Sequence, residues 1–99
     1  MRVATVAVTG QVVSGYSRCW GYLVGTDDTN DVTVAIESGV AATKTAITPT
    51  DTVDASALGS NGVMFNKPIP CENGIYATIT CAGTAEVYVY YDTEKSFGD

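Results

Sequence analysis

The chain has 99 residues, which is enough for one domain and too few for two. It carries 11 acidic residues, 5 basic residues and no histidine, for a net charge of −6. That excess of negative charge argues against nucleic acid or an anionic membrane as a partner. Only 16% of the residues are charged while 45% are hydrophobic, a balance that suggests a surface partly covered by a partner.

The N-terminal segment and the cysteines indicate where the protein is made. Residues 1–10 contain one arginine and short apolar stretches interrupted by threonine, so we expect no signal peptide. No segment approaches the roughly 18 apolar residues of a membrane span. The three cysteines, Cys19, Cys71 and Cys81, have no metal-binding spacing, and without histidine a zinc site lacks its usual ligands. We therefore expect free, buried thiols, no cofactor, and synthesis in a reducing cytoplasm.

The residue pattern predicts an all-β fold. Threonine (14 residues) and valine (13 residues) dominate, whereas leucine occurs only at Leu23 and Leu58. β-Branched residues favour strands, and the apolar residues recur at every second position rather than at helical spacing. We predict a single domain, 1–99, folded as an antiparallel, jelly-roll-like β-sandwich of seven or eight strands.

The first half of the chain contains four predicted strands, at residues 2–8, 11–16, 18–25 and 32–37. In the third, Trp20, Tyr22 and Val24 share one face, and Cys19, Gly21 and Leu23 share the other. The fourth has the clearest inward-facing stripe, formed by Val32, Val34 and Ile36.

A polar loop, TDDTND at residues 26–31, precedes the fourth strand. Its carboxylate and amide oxygens suit Ca²⁺, which takes hard oxygen ligands. The loop does not match the EF-hand pattern, and an ordinary turn explains the same residues. We predict no metal site.

The middle of the chain, residues 40–60, is predicted to be irregular; residues 42–48 are a candidate strand that Pro49 ends, and residues 52–58 fit a short helical turn or a loop equally well. Residues 93–99 are a candidate flexible tail. Residues 63–65 are predicted to be a short apolar segment, and the prolines on either side of Ile69 suit an edge segment. The Asn73–Gly74 pair is a strong hairpin signal and pairs Cys71 with Tyr76. Because that pairing leaves Cys81 several residues away along the strand, we reject a disulfide between Cys71 and Cys81.

The last two predicted strands, 75–81 and 85–92, are read as a hairpin. A three-residue loop sets Ile79 opposite Val87 and keeps one apolar face whole, whereas a two-residue loop mixes the faces. The chosen register also places Tyr76 opposite Tyr90, with Tyr88 one diagonal step away.

The three tyrosines, Tyr76, Tyr88 and Tyr90, are the candidate protein interface. Tyrosine is enriched at interfaces because it combines apolar area with a polar tip. The alternative is that tyrosine simply favours strands. Two interpretations also fit Trp20 and Tyr22. These residues either line a sugar-binding face or belong to the core.

The sequence lacks the residues that catalysis requires. Without histidine there is no Ser-His or Cys-His nucleophile pair, and no glycine-rich phosphate-binding loop is present. We predict no enzymatic activity and no catalytic residues.

Four segments resemble small all-β structural proteins of tailed bacteriophages: GVMFNKPI (62–69), CENGIY (71–76), TCAG (80–83) and VYVYY (87–91). The upstream segment GYLV (21–24) fits the same outline. The resemblance implies a virion component. The first candidate is a capsid decoration (cement) protein, which binds between major capsid subunits and stabilises the head. Such proteins are often trimers, so a homo-oligomer is expected.

The resemblance also implies assembly in the host cytoplasm and a final place on the virion. A net charge of −6 suits the outer capsid surface better than the side that faces DNA. Two alternatives stay open. One is a carbohydrate- or receptor-binding module of a fibre or tail, and the other is a head-tail connector component.

Overall fold

The computed structural model describes residues 1–27, 29–54 and 60–93, and this part of the chain contains nine β-strands and no helix. The candidate tail therefore lies outside the described residues, apart from Thr93. The strands are β1 (Arg2–Val6), β2 (Gly10–Ser14), β3 (Ser17–Gly25), β4 (Val32–Ser38), β5 (Thr45–Ala46), β6 (Asp51–Val53), β7 (Ser60–Cys71), β8 (Gly74–Thr80) and β9 (Glu86–Asp92).

The strands form two antiparallel sheets. Sheet A has four strands in the order β1-β9-β3-β7, and sheet B has five, with β2-β8-β4-β5 in order and β6 also paired to β4. Every strand pair is antiparallel. The predicted all-β sandwich is confirmed.

The core lies between the two sheets and consists mainly of β-branched side chains. The predicted stripe of Val32, Val34 and Ile36 on β4 is buried, as predicted. Val87 and Val89 of β9 are also fully buried and belong to the same core cluster. The period-two pattern thus identified the inward faces correctly, since each strand alternates between core and solvent.

Two short strands lie in the middle segment that was predicted to be irregular. Both β5 and β6 pair with β4 on the side away from β8. Val53 of β6 is buried, and Thr48 Oγ1 accepts a hydrogen bond from the backbone N–H of Ile36. Residues 40–54, the part of the segment before the gap in the described residues, are therefore more regular than predicted, because their few inward side chains complete the edge of sheet B.

A bent two-stranded ribbon connects the sheets. The pairing of β2 with β8 in sheet B ends where Ser14 lies opposite Gly74, and that of β3 with β7 in sheet A begins where Ser17 lies opposite Cys71, with two residues of each chain segment at the bend between them. The Asn73–Gly74 turn lies at this bend. The predicted hairpin pairing of Cys71 with Tyr76 is wrong because the turn joins two sheets instead of two neighbouring strands.

The predicted hairpin of the last two strands is also wrong. β8 belongs to sheet B and β9 to sheet A, so the turn between them crosses the sandwich. Tyr76 lies opposite Gln11 and Glu37, whereas Tyr90 lies opposite Val3 and Gly21. Each of the two strands has one apolar face, and that face can pack on the core from either sheet. The period-two pattern therefore could not show that β8 and β9 belong to different sheets.

A β-bulge at Trp20 changes which face of β3 points inward. The register on both neighbouring strands shifts between Cys19 and Gly21. As a result Cys19 is buried together with Tyr22 and Val24, while Trp20 is only half-buried. The predicted grouping of Trp20 with Tyr22 is wrong, because the extra residue in a bulge breaks strict alternation.

The cysteines are free, as expected. Cys19 and Cys71 are buried and Cys81 is half-buried. Cys71 and Cys81 lie just beyond opposite ends of β8, so the rejected disulfide is also absent from the structure.

Over the described ranges, no helix has the length and apolar character needed to cross a membrane.

Candidate interaction surface

The outer faces of the two sheets differ in chemistry. On sheet B, Thr78 donates a hydrogen bond to Glu37 across β8 and β4, and the hydroxyls of Thr33 and Thr52 lie 3.1 Å apart. These polar side chains bond to one another and give sheet B a hydrophilic outer face. Tyr76 is also on this face, half-buried, with Lys44 Nζ 5.4 Å from its ring centroid.

The outer face of sheet A carries a contiguous apolar region. Partner positions on neighbouring strands share a face, so the register gives two adjacent rows. One row is Val3, Tyr90, Gly21 and Met64, and the other is Thr5, Tyr88, Leu23 and Gly62. Val3 and Met64 are each 54% exposed and Leu23 is 37% exposed. We call the set Val3, Leu23, Met64, Tyr88 and Tyr90 the apolar patch.

Two glycines form a groove in the apolar patch. Gly21 and Gly62 lie on neighbouring strands in adjacent rows, beside Leu23, Met64 and Tyr90. The resulting groove has a volume of about 380 Å³. Gly21 has φ of +148°, and a Cβ there would overlap the carbonyl oxygen of Val63. Glycine is thus required for the close approach of β3 and β7, and it leaves room above the sheet.

The tyrosines that were predicted to form one cluster lie on two surfaces. Tyr88 and Tyr90 belong to the apolar patch, whereas Tyr76 lies on the outer face of the other sheet. The Tyr88 hydroxyl donates to the Glu86 carboxylate, and this hydrogen bond raises the pKa of Tyr88.

Leu23 and Met64 were not predicted as site residues. The glycines inside strands are the signal that could have located the groove, because glycine in a strand often marks a close approach.

A polar network lies next to the apolar patch on the same face. Arg18 Nε donates to Asp92 Oδ1 at 2.7 Å and a second guanidinium nitrogen donates to Oδ2 at 2.8 Å. Trp20 Nε1 also donates to Oδ2, at 2.7 Å. Because the Arg18 and Asp92 side chains are only 12% and 13% exposed, this bidentate pair holds the ends of β3 and β9 together.

Tyr22 is part of the core and does not belong to an aromatic binding face. It is 4% exposed, and its hydroxyl donates to Asp51 Oδ2 at 3.1 Å. Asn61 Nδ2 donates to the same oxygen at 3.1 Å. Burial and the hydrogen bond to Asp51 raise the pKa of Tyr22 to about 12. A sugar-binding face that uses Trp20 and Tyr22 together is thus not present.

The polar loop is tied down by Asp27. Its carboxylate accepts hydrogen bonds from the backbone N–H groups of Thr84, Asn30 and Thr29, and from the Asn30 side chain. These bonds, with the one from Thr84 first, hold the pKa of Asp27 well below its usual range. The carboxylate links Thr29 and Asn30 of the loop to Thr84, in the turn between β8 and β9. Among the residues that the structure describes, no group of three or more acidic or cysteine side chains is placed to hold a metal.

No protein-family model, curated protein or solved structure matches this chain.

Proposed function

We propose that this protein is a non-enzymatic structural protein that binds a protein partner through the apolar patch on sheet A. The observation that carries the proposal is the contrast between the two outer faces, one lined by Leu23, Met64 and tyrosines and the other by hydrogen-bonded threonines. Contiguous exposed apolar surface is rare on a small soluble protein unless it binds something. Tyrosine and methionine are also enriched at interfaces.

The partner named in this proposal rests on the resemblance of residues 62–91 to phage virion proteins. In this proposal the protein is a capsid decoration protein on the outer surface of a phage head, and the apolar patch contacts the major capsid protein. Binding of a single copy is modest, and several copies joined as an oligomer, with a trimer as the form that the resemblance implies, add avidity. The net charge of −6 agrees with a place away from the packaged DNA.

Co-sedimentation tests this proposal. Undecorated heads are prepared from the phage to whose virion the protein is proposed to belong. The purified protein is mixed with these heads, and the heads are pelleted. We expect the protein in the pellet at a fixed ratio to the capsid subunits. Protein that stays entirely in the supernatant would end the decoration proposal.

The sugar-binding alternative is tested by tryptophan fluorescence, because the chain has one tryptophan. Trp20 is half-buried with its indole N–H bonded to Asp92. We expect no change in its emission on addition of glycans. A glycan-dependent shift would favour the receptor-binding module, and rings of six or twelve subunits in native mass spectrometry would favour the connector.

A further inference from the structure

The chain contains two Asn-Gly pairs, Asn61–Gly62 and Asn73–Gly74. Asparagine is a chemically labile residue, and it is most labile before glycine, because no side chain then shields the next backbone nitrogen. That nitrogen can attack the side-chain amide and close a succinimide ring. The structure places the two pairs in different surroundings, so the same dipeptide is expected to react at different rates.

The Asn73–Gly74 pair lies at the end of the strand pairing. β7 ends at Cys71 and β8 begins at Gly74, so Asn73 belongs to neither strand, and it is exposed. Gly74 is the last residue of β8 to pair with β2, opposite Ser14. Backbone at the end of a ladder opens more readily than backbone inside it. The rotation about the Cα–C bond of Asn73 that ring closure needs is therefore a local change.

The fold itself requires glycine at position 74. The backbone there has φ of +110°, and a Cβ would overlap the carbonyl oxygen of Val13. Only glycine adopts this conformation without strain, and any side chain would also collide with β2. The close approach of β2 and β8 thus leaves Asn73 next to the least shielded kind of backbone nitrogen.

The Asn61–Gly62 pair is held by β3 and by Asp51. It lies inside β7, where Asn61 pairs with Val24 and Gly62 with Leu23. Asn61 Nδ2 donates to Asp51 Oδ2 at 3.1 Å, so the group that would leave is itself hydrogen-bonded. Ring closure requires the backbone to rotate away from the extended conformation of a strand. That rotation would break the pairing with β3.

We infer that Asn73 is a site of spontaneous deamidation in the folded protein and that β7 protects Asn61 from the same reaction. The backbone nitrogen of Gly74 attacks Cγ of Asn73, a nitrogen–carbon bond forms, and the bond from Cγ to Nδ2 breaks. The side-chain nitrogen leaves as ammonia together with the proton of the Gly74 amide. Water then opens the ring at either carbonyl and gives aspartate or isoaspartate, so the chain gains a negative charge.

The reaction changes the geometry of the bend as well as its charge. Isoaspartate has an additional atom in the main chain, directly before Gly74. The Gly74 carbonyl oxygen accepts a hydrogen bond from the Gly39 N–H at 2.9 Å. The next carbonyl oxygen, that of Ile75, accepts one from Gln11 Nε2 at 2.9 Å. A longer main chain displaces these acceptors from their donors, so isoaspartate should destabilise the fold. None of this rests on the proposed function.

Mass spectrometry of aged protein tests the inference. The wild-type protein is incubated at mildly alkaline pH, then unfolded and cleaved with chymotrypsin after Phe65 and Tyr76, which separates Asn61 from Asn73. Deamidation is measured from the mass increase that exchange of NH2 for OH gives. We expect Asn73 to react about tenfold faster than Asn61 or more. An intact Asn73, or a reaction at Asn61 that is equally fast, would overturn the inference.

The same measurement in concentrated urea shows whether the fold causes the difference. Both pairs then lie in an unfolded chain, so their rates should agree to within about threefold. A difference as large as that in the folded protein would show that the local sequence sets the rates, and would overturn the protection of Asn61 by β7.

Urea unfolding of aged protein tests the consequence for the bend. The control is Asn73→Gln, because the longer glutamine side chain closes a larger ring much more slowly. The aged wild type should contain a fraction that unfolds at lower urea concentration than the fresh protein, and the aged variant should not. Aged wild type that contains isoaspartate at position 73 and unfolds like fresh protein would contradict the destabilisation.

Discussion

At the scale of single residues, partly buried polar side chains are anchored by specific partners. Asp92 accepts hydrogen bonds from Arg18 and Trp20, and Asp51 accepts them from Tyr22 and Asn61. Burying a charge is costly unless it is paired and hydrogen-bonded, so each carboxylate depends on its donors. These networks could not be predicted from the sequence, because their members are distant in the chain and periodicity does not report on polar partners.

Replacement of Asp92 by asparagine should destabilise the fold. The change replaces the carboxylate of the bidentate pair with Arg18 by a neutral amide that can accept at only one oxygen, in a partly buried place. We expect a loss of about 1–3 kcal/mol in the free energy of unfolding, measured in urea. Glu72→Gln, in the exposed turn, is the matched control and should cost nothing measurable. Equal stability of the two variants would contradict the structural role of Asp92.

Three glycine-to-alanine variants separate backbone strain from steric overlap. A Cβ added at Gly10 meets no atom within 4 Å. A Cβ added at Gly15 also has open space, but the backbone there has φ of +79°. At Gly21 φ is +148° and the added Cβ overlaps the backbone of β7. We expect little effect at Gly10, about 1 kcal/mol at Gly15 and clearly more at Gly21, in urea unfolding. A Gly21→Ala variant as stable as Gly10→Ala would show that β3 and β7 do not approach closely.

At the scale of elements, the sequence identified the strands well and their partners poorly. The inward residues of β4 and β9 follow directly from alternation, and the prolines correctly marked β7 as an edge strand. Alternation could not distinguish a hairpin from a turn that crosses between sheets, because the apolar face is the same in both. Tyr88 and Tyr90 could therefore be assigned to one surface, while Tyr76 was assigned to the wrong one.

The bent ribbon depends on Gln11. Its Nε2 lies 2.9 Å from the carbonyl oxygens of Val13, Gly39 and Ile75, so one amide group joins three segments at the bend. Gln11→Glu should cost about 1–3 kcal/mol, because it places a carboxylate where the carbonyl oxygens need a donor. Gln11→Ala removes the donor without the repulsion and should cost less. A glutamate variant at least as stable as the alanine variant, in thermal unfolding at neutral pH, would contradict this role.

At the scale of the whole molecule, the core sets an alkaline limit to stability. Burial raises the pKa of Cys19 from 9.0 to about 12, and burial with the bond to Asp51 raises that of Tyr22 from 10.0 to about 12. The folded state holds these protons more tightly than the unfolded state. Their contribution is complete below pH 9 and is lost as the pH rises toward 12.

The free energy of unfolding should therefore fall between pH 9 and pH 12. Cys19→Ala and Tyr22→Phe each remove one titrating group, so each should reduce the slope of that fall. The measurement is urea unfolding at a series of pH values. Slopes identical to that of the wild type would show that these two groups do not control alkaline unfolding.

In the proposed function, the outer face of sheet A is the binding side of the molecule and the outer face of sheet B is its solvent side. The most direct test of this claim compares co-sedimentation with undecorated heads for two variants that carry the same new charge. Met64→Glu places it in the apolar patch, and Thr80→Glu places it on the exposed threonine face of sheet B. We predict that Met64→Glu weakens binding by about tenfold or more while Thr80→Glu binds like the wild type. Equal binding by both variants, or a loss confined to Thr80→Glu, would contradict the assignment of sheet A as the binding face.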